Sequence, residues 1–283
     1  ALSRAARATR TGAMGMSSAE RPAVVDLPVR RWRDGEWTEA GDRVANEVPV
    51  ALTYNSIPHV VMLATPSDLL DLGYGFTVSE ALVDGAAQIR DVRLEESDAG
   101  PIVALSITQD KLAAVLDRRR NLTARTGCGV CGAETIEDAI RHPAPVSPGG
   151  GVAREALAQA LRALREWQVL NADTGSLHAA AWVGWDGAIQ LVREDVGRHN
   201  ALDKLIGALL RSGADLQQGF ALVTSRASYE MVQKAATVGI RMLVAVSAPT
   251  ALAVQLASES GLTLVGFARE QQQVVYAHPE RLS

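Results

Sequence analysis

Three short runs in the C-terminal half are apolar at nearly every position instead of at alternate ones: Phe220-Ala-Leu-Val-Thr224, Met242-Leu-Val-Ala-Val246 and Leu262-Thr-Leu-Val-Gly-Phe267. A strand apolar on both sides needs cover on both faces, and crossover helices supply it. The intervening stretches, Ser228 to Gly239 and Pro249 to Ser260, read as those helices. This pattern predicts an α/β chain with a largely parallel sheet covered on both faces. Upstream, Ile189 to Arg193 reads as a strand and Asn200 to Arg211 as a helix capped by Asn200. Val152 to Leu170 carries Leu157, Leu161, Leu164 and Trp167 at helical spacing. His178 to Trp185 is a strand or a helix start, with Thr174-Gly-Ser-Leu-His178 as a polar turn feeding an Ala-rich helix.

The N-terminal half reads as shorter strands and turns. Val24 to Arg30 is followed by a turn at Asp34-Gly35, then Asn46 to Tyr54 and His59 to Ala64 are strands. Thr65-Pro-Ser-Asp68 opens a helix, with Thr65 or Ser67 as cap, which Gly73 and Gly75 are expected to interrupt. Ile89 to Glu95 and Ile102 to Ile107 are further strands. Residues 110–125 are basic and helix-permissive, Thr135 to Ile140 suits a short helix, and His142 to Gly151 is a loop rich in proline and glycine. The expected division is a disordered leader at 1–20, an α+β subdomain at 21–125 and an α/β/α domain at 126–283.

Composition excludes some classes. With 47% hydrophobic residues in 283, a sizeable core can be buried. A net charge of −4 gives no global pull towards nucleic acid, and no run of about 18 apolar residues is present to span a membrane. The first sixteen residues carry Arg4, Arg7 and Arg10 without an apolar run, unlike a secretory signal, so a start near Met14 or Met16 is expected. Two cysteines with no other bridge partner fit a reducing cytoplasm.

Those cysteines stand in Arg125-Thr-Gly-Cys-Gly-Val-Cys-Gly132. A thiol acts as nucleophile in its thiolate form, which nearby cations and a second Cys favour. Glycines 127, 129 and 132 let a second sulfur or a large ligand approach. A structural zinc site, a redox pair, inert thiols and a sulfur-handling thiol all remain open on spacing alone. Zinc needs about four ligands, and only isolated histidines accompany the pair.

Polar residues follow the doubly apolar strands. Thr224-Ser-Arg226, Ser247-Ala-Pro-Thr250 and Phe267-Ala-Arg269 stand at three successive strand ends, where open α/β sheets bind ligands. Two arginines there suit a phosphate-bearing ligand. Glu194-Asp-Val-Gly-Arg-His-Asn-Ala-Leu-Asp-Lys204 joins a strand to a helix, with Arg198 and His199 just before an anion-favouring helix terminus. It reads equally as a capped helix with a solvated charged face.

These motifs, with Pro49-Val-Ala-Leu-Thr-Tyr-Asn55, jointly resemble the formate dehydrogenase accessory sulfurtransferases, the FdhD/NarQ family, over nearly the whole chain after residue 40. The resemblance implies a three-layer α/β/α cytidine-deaminase-like main domain with a smaller N-terminal α+β subdomain. It implies a sulfurtransferase that passes persulfide sulfur from a cysteine desulfurase to the molybdenum cofactor of formate dehydrogenase, and a homodimer. Cys128 would carry the persulfide, and Cys131 would assist or also carry sulfur. The acceptor would be the bis(molybdopterin guanine dinucleotide) cofactor. Phe267, Ala268, Arg269, Glu270, Gln271 and Gln272 match the family's cofactor stretch, and Arg226, His178 and Arg198 are further anchors. A chaperone that only delivers or inserts cofactor is the alternative. Nucleobase deamination is disfavoured, because Cys128 follows Gly127 instead of proline and the H-x-E at His278 lies after the cysteines. No metal ligands are assigned.

Overall fold

The computed structural model describes residues 21–120 and 141–283. The leader, the cysteine loop with Arg125, Cys128 and Cys131, and the helix expected at 135–140 lie outside the described residues. Three sheets organise the rest. Strands β1 (Val24–Arg33) and β2 (Glu36–Ala45) form a two-stranded antiparallel hairpin. The four-stranded sheet has the order β4-β3-β6-β5, from β3 (Val48–Tyr54), β4 (Ile57–Ala64), β5 (Ile89–Ser97) and β6 (Gly100–Ile107). The six-stranded sheet has the order β12-β11-β10-β9-β7-β8, from β7 (His178–Gly184), β8 (Ile189–Asp195), β9 (Gly219–Val223), β10 (Met242–Ala245), β11 (Thr263–Arg269) and β12 (Gln272–Ala277).

The doubly apolar strands behave as their composition dictates. β9, β10 and β11 run parallel at the centre of the sheet, and every residue of β9 and β10 is buried. The rest of that sheet corrects the expectation of a largely parallel one. β7 and β8 are antiparallel on one side and β12 is antiparallel on the other. The Ala-rich run Ala179 to Ala181 is strand, not helix, because it pairs on both sides, with β8 and with β9.

Helices α5 (Arg198–Ser212), α6 (Tyr229–Thr237) and α7 (Ala251–Ser260) cover one face of the sheet, packing Leu205, Val232 and Leu256 against Trp182, Val223 and Leu243. Helix α3 (Arg154–Trp167) covers the other, with Leu157, Ala160 and Leu164 against Val183, Phe220 and Val244. A short α4 (Val169–Thr174) follows, so the helix expected over 152–170 breaks at Gln168. Helix α2 (Gln109–Arg120) leaves β6.

Helix α1 (Leu69–Ser79) joins the two larger sheets. Leu72 and Phe76 pack on Val50, Leu52 and Leu105 of the four-stranded sheet. Gly73 and Gly75 do not interrupt it. They are the reason it packs. A Cβ on Gly75 would lie 1.8 Å from the Asp203 carbonyl oxygen, and one on Gly207 1.9 Å from that of Asp71. Two glycines facing each other let the α1 and α5 backbones touch, which compensates the helix propensity both forgo. The N-cap is Asp68, with φ of 52°, instead of Thr65 or Ser67.

Candidate functional site

Sheet topology gathers the predicted residues. β9, β10 and β11 deliver Thr224–Arg226, Ser247 and Arg269 to one edge, because they are parallel. β7 runs the other way, so its first residue, His178, arrives at that same edge: Ala180 pairs with Val223, and Ala179 N–H donates to Thr224 Oγ1 at 2.9 Å. Asp195, the last residue of β8, lies opposite His178, and α5 starts three residues later at Arg198. From β11 to β7 the edge spans three strand spacings, about 14 Å.

The 194–204 motif separates into two jobs. Most of its polar residues hold the structure together. Glu194 accepts from the Leu170 and Asn171 N–H groups at 2.8 and 2.9 Å, capping α4. Asp195 accepts from Thr65 N–H at 3.0 Å, Gly197 N–H at 2.8 Å and Asn200 Nδ2 at 3.0 Å, and pairs with Lys204 at 2.6 Å. Lys204 donates to the Thr65 carbonyl at 3.0 Å, and Asp203 accepts from Ser79 and Lys234. Gly197, not Asn200, is the N-cap; the Asn200 amide is spent on Leu63 and Asp195, which places Arg198 and His199 inside the first turn. These two are left for the edge. Arg198 Nε is buried without a hydrogen-bond partner among the described residues, and His199 Nε2 sits 2.8 Å from Glu230 Oε2.

The edge is cationic. Among the described residues, no carboxylate lies within ion-pair reach of Arg198, Arg226 or Arg269. Arg226 is exposed, and Arg269 donates to the Val246 and Ala268 carbonyls. His178 is half-buried; burial, and next the Arg198 charge, push its pKa below the usual 6.5, against a smaller opposing pull from Asp195.

The 267–272 stretch is a strand and turn. β11 and β12 pair there, so the sequence expectation of a last strand ending at Phe267 stopped short. Phe267 takes φ of 49° beside a register shift, and its ring is 42% exposed at the edge. Ala268 points into the core at 1% exposure. Glu270 and Gln271 form the turn, with Glu270 3.6 Å from Arg162 of α3, and Gln272 pairs with Arg269. His178, Arg198, Arg226, Phe267 and Arg269 thus share one sheet edge.

The sequence profile of the FdhD/NarQ family matches residues 45–283. The chain belongs to that family. It is 52% identical over 264 residues to the sulfur carrier protein FdhD of Cupriavidus necator, covering 93% of this chain and 92% of that one. It is 52% identical over 266 residues to the protein of the same name in Xanthomonas euvesicatoria pv. vesicatoria, covering 94% and 95%. A crystal structure described as that of a formate dehydrogenase accessory protein, from Desulfotalea psychrophila, matches with a TM-score of 0.73 at 24% identity, over 93% of this chain and all of that one. For this FdhD/NarQ member that likeness establishes a mixed α/β fold of several sheets.

A second polar cluster went unread in the sequence. Glu80, at the end of α1, pairs with Lys234 at 2.8 Å and with Arg141. Lys234 also holds Asp203 at 2.8 Å, and Tyr229 Oη donates to the Arg141 carbonyl at 2.6 Å. Its one sequence signal is charge at positions that helical periodicity assigns to the core, as with Asp203 and Lys204 between Leu202 and Leu205.

Proposed function

We propose that this chain is a sulfur carrier for formate dehydrogenase. In this reading a cysteine desulfurase persulfide is attacked at its outer sulfur by the Cys128 thiolate. One S–S bond forms and one breaks, the desulfurase thiolate leaves, and no net redox change occurs. Cys131 assists or carries sulfur in turn. The acceptor substrate is the bis(molybdopterin guanine dinucleotide) cofactor, whose phosphates and guanines need cations and stacking partners along an extended path.

One observation carries the proposal: the row of arginines that have no carboxylate partner among the described residues, along a sheet edge about 14 Å long, with the nearby described acids already committed elsewhere. The names of the curated relatives support it. The protein's contribution is proximity, holding a reactive sulfur and its acceptor together. On the same reading the six-stranded sheet with helices on both faces is a cytidine-deaminase-like three-layer unit, and the chain divides near residue 125. A superposition of its crystal structure on a cytidine deaminase over the six strands tests that part.

Incubation with a desulfurase and labelled cysteine, followed by mass spectrometry, tests the transfer. A 32-Da addition on Cys128, absent in Cys128→Ala together with formate dehydrogenase activation, is expected. Guanine-nucleotide binding with no label on either cysteine would instead favour the cofactor chaperone.

A further inference from the structure

Between the end of α1, the second half of α6 and residues 141–144 lies a cavity of about 540 Å³. That is the size of a ligand site, about 300–1,000 Å³. It stands apart from the arginine edge. Gln233 and Thr237 line it from α6, about 8–14 Å along the helix from its Ser228 cap. The charges on its wall are already matched: Arg141 pairs with Glu80, Asp84 with Lys111 at 2.6 Å, and His142 sits 3.2 Å from Glu259. Val78 and Val83 supply apolar wall, and both are buried. One side chain there is out of balance. Gln233 is 5% exposed, and its amide has no hydrogen-bond partner among the described residues. An amide brings two donors and one acceptor, and burying them unmade is a cost that an occupant of the cavity would remove.

The wall at 142–145 is His-Pro-Ala-Pro, and its backbone is also uncommitted. The segment is pinned at both ends, by Tyr229 Oη on the Arg141 carbonyl at 2.6 Å and by Val146 N–H on the Ser260 carbonyl at 2.8 Å. Each proline holds the residue before it in extended backbone. Prolines carry no N–H, so the donors fall at His142 and Ala144, which an extended chain turns to the same side. Both residues are exposed, and neither N–H donates to any described residue. The segment is thus a short, held strand edge with its pairing groups free beside the unpartnered Gln233 amide.

We propose that this cleft binds an extended, uncharged peptide segment of a partner protein. The peptide main chain pairs with the backbone of His142 and Ala144 and with the Gln233 amide, and its small apolar side chains sit against Val78 and Val83. Main-chain pairing to an open strand edge supplies the grip, and the pockets for alternate side chains supply the preference. The matched wall charges give no hold on a phosphate or a charged tail, which separates this site from the arginine edge. Nothing in it depends on the sulfur chemistry.

The test uses the full chain and an array of capped hexapeptides, half built from Ala, Val, Ser and Thr and half with Asp, Glu, Lys or Arg at alternate positions. The uncharged half is retained and the charged half is not. The best uncharged peptide, titrated in solution by fluorescence anisotropy, weakens about tenfold or more when alternate amides are N-methylated. Gln233→Leu and Ala144→Pro each weaken it about tenfold, the second because it removes a donor at an exposed position already bounded by prolines. Gln233→Leu keeps or raises the thermal midpoint, since it deletes a buried amide that has no partner among the described residues. The N-methyl comparison is made on the wild type, so it holds even if a variant folds poorly. Failure of every uncharged peptide to bind at about 1 mM overturns the proposal, as does affinity indifferent to N-methylation and to both substitutions. So does a lower midpoint for Gln233→Leu with binding unchanged, or a cleft that takes free guanine at Gln233 and no peptide.

Discussion

Lys204 and Asp195 sit 2.6 Å apart with both side chains at 0% exposure, one in the first turns of α5 and the other at the end of β8. Thr65, at the end of β4, closes the group by donating its N–H to Asp195 and offering its carbonyl to Lys204. One ion pair therefore ties the four-stranded sheet to the edge that carries Arg198. Removing one partner leaves the other charged and dry. Lys204→Met is expected to cost about 3–5 kcal/mol of unfolding free energy in urea titration. A loss under about 1 kcal/mol would mean that water reaches Asp195.

The glycine crossing makes a prediction with its own control. Gly75→Ala forces α1 and α5 apart, since the added methyl meets backbone and not a flexible side chain. A loss of about 1–3 kcal/mol is expected despite the better helix propensity of alanine. Gly41→Ala, where no atom lies within 4 Å of the new Cβ, leaves the thermal midpoint in place. Equal midpoints for the two variants would contradict the close crossing.

Acid should weaken the protein through Glu80. Burial pushes this carboxyl up, but Lys234 and Arg141 outweigh it and hold the pKa far below the ordinary 4.5. A depressed carboxylate stabilises the fold above its unfolded pKa, and that stability drains as the pH falls below about 4.5. Asp203, shared with the same lysine, has the opposite sign: burial dominates, its pKa is raised, and it loses stability as the pH rises through its folded value. The gap in urea midpoint between wild type and Glu80→Gln should be widest at pH 7 and should shrink steadily as the pH falls below about 4.5. A constant gap would show that Glu80 acts by packing alone.

At the sheet edge, His178 is held neutral at pH 7.5 by burial and by Arg198. Anion attraction there falls to the arginines. Using guanosine diphosphate as probe in calorimetry, Arg198→Ala is expected to weaken binding about tenfold, the worth of one charge-assisted contact, and His178→Gln much less. Wild-type binding should tighten as the pH falls below the ordinary histidine range and His178 takes a proton, and the His178→Gln protein should lack that rise. Equal losses at pH 7.5 would assign the histidine a direct neutral contact.

Phe267 holds a left-handed backbone that costs a bulky residue about 1–2 kcal/mol, yet its ring is exposed. Strain without burial is expected where a ring serves a ligand. Phe267→Gly should leave the thermal midpoint level or higher while weakening guanosine diphosphate binding. A destabilised variant with unchanged binding would make the ring a packing residue.

Local reading of the chain went furthest where one residue type reports one environment. The apolar runs of β9 to β11, the loop at His142 to Gly151 and the helices between the strands were legible because burial on two faces leaves no alternation. β2 was missed, since Glu36 to Ala45 is exposed almost throughout and carries no apolar face to read. β12 was missed for a related reason, with half-buried positions in place of alternation. Within the site, Arg226 and Arg269 were found from strand ends alone, whereas Glu230, Thr65 and Lys204 belong to it through contacts across 31 to 139 residues of chain.

By itself the sequence determined the family, the α/β class, the cysteine pair and the central parallel strands, because each rests on local composition or on a contiguous motif. Only the tertiary structure decided that β7 enters antiparallel and brings His178 beside Arg198, that the acids of the 194–204 motif are consumed in holding two sheets together, and that Gly75 meets Gly207. Periodicity records how much of a residue is buried. It carries no information on the direction of the neighbouring strand or on which distant backbone supplies the partner, and those two facts built the edge.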